Sequence, residues 1–95
     1  MLKRFAAIAI ATAMFALPAL ADNAADVVES MKERCLWRAS NELMADTSEI
    51  TVEYGGKLDD GNHAINGTAF VDGREETFRC TFCRSGRRLL EFAVD

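Results

Sequence analysis

Three cysteines and a single histidine carry most of the chemistry this chain could offer: Cys35, Cys80, Cys83 and His63. Cys80-Thr81-Phe82-Cys83 has the spacing of a CxxC redox motif, and the four side chains together make a Cys3His donor set of the kind that holds zinc. Both chemistries constrain the backbone. A redox CxxC needs a helix N-terminus to acidify the thiol and a bend to close the ring. In an extended strand three residues span ~10 Å, beyond the ~7 Å limit for a disulfide between Cα atoms. Zinc would need Cys80 and Cys83 on one side of their strand. No set for hydrolysis or group transfer is visible, because the histidine is single, no glycine-rich phosphate loop occurs, and no carboxylate pair sits in an apolar setting. The expectation is a non-enzyme without cofactor or bound metal.

The redox compartment decides between disulfide and metal, and the N-terminus speaks to it. Met1-Leu2-Lys3-Arg4 is a short basic head, residues 5–17 are almost wholly apolar, Pro18 breaks the run, and Ala19-Leu20-Ala21 supplies small residues at −3 and −1. Residues 1–21 are therefore expected to be a signal peptide, cleaved after Ala21. About 13 apolar residues fall short of the ~20 that a membrane-spanning helix needs. Export implies a periplasmic or secreted protein in which disulfides form. Removal of 21 of the 95 residues leaves 74, a single small domain over 22–95, and takes the net charge from −4 to −6 by losing Lys3 and Arg4. So acidic a chain is a poor partner for nucleic acid or an anionic membrane surface. Its core is near the size at which a covalent staple is expected.

The elements that would position the cysteines follow from periodicity. From Asp22 onward no glycine or proline occurs before Gly55. Asp22 or Asn23 can cap a helix whose stripe of Ala24, Val28, Met31, Cys35, Ala39 and Leu43 faces a core. That helix is expected to stop near Ala45 or Asp46, where Asp46-Thr47-Ser48 favours local side-chain bonds. The period then changes to two. Ile50, Val52 and Tyr54 alternate with polar residues, Gly55-Gly56 and 58–62 form a connection, and a second strand runs from about His63 to Val71. Asp72-Gly73 suits a type I′ hairpin. It sets Val71 against Arg74, Ala69 against Glu76, Gly67 against Phe78 and Ile65 against Cys80. For the last hairpin a three-residue loop, Arg84-Ser85-Gly86, sets Cys80 against Leu90 and Phe78 against Phe92. The alternative two-residue turn would pair Phe82 with Leu89 and throw Leu90, Phe92 and Val94 onto the wrong side. The predicted fold class is α+β, one N-terminal helix packed on a four-stranded antiparallel meander sheet.

On that scaffold Cys35 lies on the apolar helix stripe and Cys80 on the inner sheet face between Phe78 and Phe82, so the two are expected to be bonded. A loop of about 46 residues makes such a bond worth roughly 4 kcal/mol in the chain-entropy treatment. Cys83 has the opposite parity and should face out as a free thiol. It is a spare thiol, the link of a dimer, or, with Cys80, the centre of a thiol-redox or zinc protein. On the outer face Asn66, Arg79 and Glu91 should form a polar cross-strand ladder, and the Asn66-Gly67-Thr68 sequon reads as ordinary strand surface. Trp37 and Met44 fall on the far side of the helix, with Arg34 and Arg38 nearby. These four residues form a candidate partner patch, because Trp, Met and Arg are enriched in interface centres. Alternatively Trp37 folds over the 46–49 connection.

The layout of signal peptide, single-cysteine helix and strand meander resembles a loose group of short, uncharacterised periplasmic proteins of Gram-negative bacteria. The residues that carry it are Cys35 with Ala39, Val71-Asp72-Gly73, Phe78-Arg79-Cys80 and Gly86-Arg87 through Phe92. The resemblance implies the Cys35 to Cys80 pairing and the periplasm, and brings no activity with it. Cys83 departs from the usual two-cysteine pattern. The function expected is a non-enzymatic exported binding or inhibitory module with an unknown protein partner, monomeric or linked as a dimer through Cys83.

Overall fold

In the computed structural model, which describes residues 18–95, one helix packs on a four-stranded antiparallel sheet of strand order β1-β2-β3-β4. The helix α1 (Pro18–Leu43) precedes a 3-10 turn (Thr47–Glu49) and the strands β1 (Ile50–Lys57), β2 (His63–Val71), β3 (Arg74–Phe82) and β4 (Leu89–Val94). Most of the expected signal segment, residues 1–17, lies outside the described residues. The expected cleavage position after Ala21 falls inside α1, so the helix is longer at its start than the capping residues Asp22 and Asn23 suggested. The local reason is that the stretch from Ala19 is rich in good helix formers.

The helix ends two residues earlier than expected, by a backbone device rather than by Asp46. Met44 adopts a left-handed conformation (φ 57°), and the Ala45 N–H returns to the Ser40 carbonyl at 3.2 Å, the long bond of a Schellman termination. The Ser40 hydroxyl adds a 2.7 Å bond to the Ala45 carbonyl. Asp46 then closes the 3-10 turn with its backbone carbonyl, which accepts from Glu49 N–H at 2.9 Å, and its side chain makes no capping bond.

The core is the surface where two periodicities meet. Met31, Cys35 and Ala39, spaced by four along α1, are fully buried against Ile50, Ile65, Ala69, Phe78, Cys80 and Phe82. Val28 and Leu43 are half-buried at the ends of the same stripe, whereas Ala24 is exposed, beyond the reach of the sheet. The β2–β3 hairpin has the expected register at every pair, from Val71 opposite Arg74 to His63 opposite Phe82. Its turn residues Asp72 and Gly73 both have positive φ (53° and 77°), as a type I′ turn requires.

Two connections differ from the sequence reading. Gly55-Gly56 is not a turn. It lies within β1 as a bulge, with Tyr54 opposite Ile65 and Gly56 (φ 95°) opposite Ala64. The reversal is made by residues 58–62, where Leu58 N–H bonds the Asn62 carbonyl at 2.7 Å. At the other hairpin, Cys80 stands opposite Phe92 and Phe78 opposite Val94, two positions from the expected partners Leu90 and Phe92. Phe82 pairs with Leu89, the contact of the rejected two-residue turn, and a bulge at Leu90 then restores the parity that brings Phe92 inward. Phe92 thus reaches Phe78, with ring centroids 5.4 Å apart, and Leu90 is turned to solvent. The physical reason is the loop, which folds back onto the helix. Gly86 is buried there against Val27 and Met31.

Candidate functional site

Cys35 and Cys80 form a disulfide with their Cα atoms 5.9 Å apart, both fully buried. Each arrives there for a separate reason, Cys35 by the helical stripe and Cys80 by strand alternation between the buried rings of Phe78 and Phe82. The Cys3His set is consequently not assembled among the described residues. Two of its sulfurs are bonded to each other, and both nitrogens of His63 are occupied. Nε2 lies 2.9 Å from the Arg84 carbonyl, which can only accept, so Nε2 carries a proton, while Nδ1 meets the Tyr54 hydroxyl at 2.9 Å. His63 is a buried clamp between β1 and the last hairpin.

Cys83 differs from expectation in place and character. β3 ends at Phe82, so Cys83 is the first residue of the hairpin loop rather than an outward strand position, and it is half-buried. Its Sγ lies 3.2 Å from the Ser85 hydroxyl. The loop is held by Cys83 N–H to the Arg88 carbonyl (3.0 Å) and Gly86 N–H to the Cys83 carbonyl (2.8 Å). The Ser85 hydroxyl, followed by backbone donors of Arg88, Arg87 and Ser85, favours the thiolate and lowers the Cys83 pKa from the ordinary thiol range to about 6, against a smaller opposing effect of burial. Thiol acidification here comes from a hairpin loop, not from the helix N-terminus that a redox CxxC uses. The sequence signal for it was available in Cys83-Arg84-Ser85-Gly86, a turn that curls its own donors toward its first residue.

The candidate patch on the helix is where periodicity placed it. Trp37 is 57% exposed and Met44 89% exposed, and neither belongs to the core cluster, so the ring is surface rather than cover for the 46–49 connection. Arg38 bonds Glu42 one turn on, Nε to Oε2 at 2.9 Å, a surface pair of small energetic worth. Arg34 does something the sequence did not suggest. It reaches across to the last hairpin and donates from Nη1 to the Arg87 carbonyl at 2.6 Å.

The outer face of the sheet forms a broad hollow of about 1330 Å³ whose floor includes Thr51, Asn66, Thr68, Thr77, Arg79 and Thr81. Two side-chain hydrogen bonds cross it, Arg79 Nε donating to Asn66 Oδ1 at 3.1 Å and the Thr77 hydroxyl to Asp95 at 2.8 Å. The ladder is one member short of expectation. Arg79 faces Ala93, and Glu91 stands opposite Thr81, because of the two-residue shift in β4. No described helix is long and apolar enough to cross a membrane. Comparison of the chain with protein-family models, with curated proteins and with solved structures gives no match.

Proposed function

We propose that this chain is a non-enzymatic, exported binding or inhibitory module whose contact surface centres on Trp37, with Arg34, Arg38 and Met44 around it. The observation that carries the reading is a tryptophan more than half exposed on the solvent side of the helix, with Arg34 one turn before it and Arg38 next to it in the chain. Leaving more than half of so large an apolar side chain in water forgoes on the order of 1–2 kcal/mol of burial, which a partner can recover. Export is part of the same proposal: the segment 1–21 supports it, as does a disulfide of the kind that persists in oxidising compartments, and the resemblance to short periplasmic proteins points the same way. The test is to cross-link the protein in its compartment, identify the partner by mass spectrometry, and measure binding of that partner to wild type and to Trp37→Ala. Truncation of a central tryptophan is expected to weaken binding by about tenfold or more. Equal affinity would remove the patch from the argument.

A second reading, thiol-redox chemistry through Cys80 and Cys83, draws support from the acidity of Cys83 alone. The geometry predicts that iodoacetamide alkylates Cys83 in the folded protein with an inflection near pH 6, where an ordinary thiol would titrate more than two units higher. Ser85→Ala should move that inflection upward. Insulin reduction that disappears in Cys83→Ser would carry the redox reading, and none in wild type ends it.

A further inference from the structure

Among the described residues β1 and β4 are the two edges of the sheet, and each leaves one side of its backbone N–H and C=O groups without a strand to meet them. The β1 edge is blunted. Its ladder with β2 is broken by the bulge at Gly55-Gly56, where Gly56 has a φ of 95°, and exposed Glu53 and Lys57 flank the break. The β4 edge has no such guard along most of its length. Its bulge lies at Leu90, near the start of the strand, and residues 91–94 run as a regular ladder against β3. Leu90 and Val94 are 47% and 44% exposed, Phe92 is half-buried, and Glu91 is the one charged residue of the strand.

We propose that the β4 edge pairs antiparallel with the β4 edge of a second copy of this chain, joining the two four-stranded sheets into one, with both helices on the same face. The pleat and the charges select the alignment. A two-fold axis normal to the sheet sets positions of equal parity opposite one another. With that axis at Glu91 the two Glu91 carboxylates oppose each other directly, and with it at Ala93 Glu91 opposes Asp95, both unfavourable. Centred on Phe92, the pairing sets Phe92 opposite Phe92, Glu91 opposite Ala93, and Leu90 opposite Val94 of the second copy. Apolar positions then meet at the centre and at both ends. The same alignment complements charge. Arg79 stands opposite Ala93 within the chain, and Ala93 would stand opposite Glu91 of the second copy, so one small side chain separates each guanidinium from the other copy's carboxylate. Arg79 and Glu91 are exposed, and neither enters an ion pair among the described residues. The assembly closes at two copies, because the edges left outside are the blunted β1 strands.

The test is sedimentation velocity of the disulfide-bonded protein over a range of concentrations, in wild type and in Cys83→Ser, which removes any covalent link through that thiol. Both are expected to show the same reversible equilibrium between monomer and dimer. Leu90→Lys, at an exposed position where an edge lysine opposes strand addition, should give a monomer of unchanged circular dichroism at the same concentrations. Arg79→Glu and Glu91→Arg should each weaken the dimer by about tenfold, and the double variant, which exchanges the two charges, should recover most of that loss. The proposal is overturned by a wild type that stays monomeric throughout, by a dimer that disappears in Cys83→Ser or persists unchanged in Leu90→Lys, or by a double variant no tighter than the single ones.

Discussion

Replacing Cys35 or Cys80 by serine will lower the stability of this domain by about 2–5 kcal/mol, enough to unfold a large share of so small a protein at physiological temperature. Two effects add. The disulfide closes a loop with a sequence separation of 45, and opening it returns that freedom to the unfolded chain. The serine hydroxyl would also replace a sulfur at a fully buried position among Met31, Phe78 and Phe82, where an unpaired hydroxyl costs about 1–3 kcal/mol. Urea denaturation followed by circular dichroism reads the change as a fall in midpoint. Cys83→Ser, at a half-buried loop position outside the core, should stay within about 0.5 kcal/mol of wild type. The intact oxidised protein should weigh about 2 Da less than its reduced composition. A peptide map that joins Cys35 to Cys83 would contradict the register of β3.

Gly67→Ala is expected to cost about 1–3 kcal/mol although it adds one methyl group to a strand. A Cβ at Gly67 would be driven into the ring of Phe78, its cross-strand partner, meeting Cζ, Cε1 and Cε2, the last at 2.8 Å. Phe78 has nowhere to move. It is buried, with Phe92 against its ring, and the Cys35–Cys80 disulfide lies beside it in the same cluster. Strand propensity alone would predict the opposite sign, since glycine weakens a strand interior. A double-mutant cycle separates the two explanations. If the ring is the cause, Gly67→Ala/Phe78→Leu will be more stable than the sum of the single changes predicts, by about 0.5–3 kcal/mol. Strict additivity would mean that the cost lies elsewhere than in the ring contact.

Much of this architecture was legible because the signals are local. A helical stripe and a strand alternation each say which side chains share a face, so Cys35 and Cys80 could be assigned to one buried surface before either neighbour was known. Asp72-Gly73 set the central register because a two-residue turn leaves the flanking strands a single alignment, and that alignment holds along all nine pairs from Val71–Arg74 to His63–Phe82. Trp37 and Met44 were placed on the solvent side by the same helical geometry.

The features that eluded the sequence depend on contacts between distant residues. Parity allowed Phe92 to be placed inward but could not count the residues in the loop before it. That number goes with contacts across the fold, Gly86 seating on Met31 and Val27 and Arg34 bonding the Arg87 carbonyl, in a structure where β4 is shifted by two positions with a bulge at Leu90. The acidity of Cys83 is local by contrast, because a curled loop, unlike a strand end, points its own hydroxyl and amide donors at the sulfur. Sequence by itself determined most of the inner face and that Cys35 and Cys80 meet on it, since burial period and turn chemistry act over a few neighbouring residues, whereas Ala24 and Leu90, read as inward, are exposed. Tertiary structure alone decided how the last loop runs: Arg34 meets the Arg87 carbonyl, 53 positions away, only after the hairpin loop has folded back onto the helix.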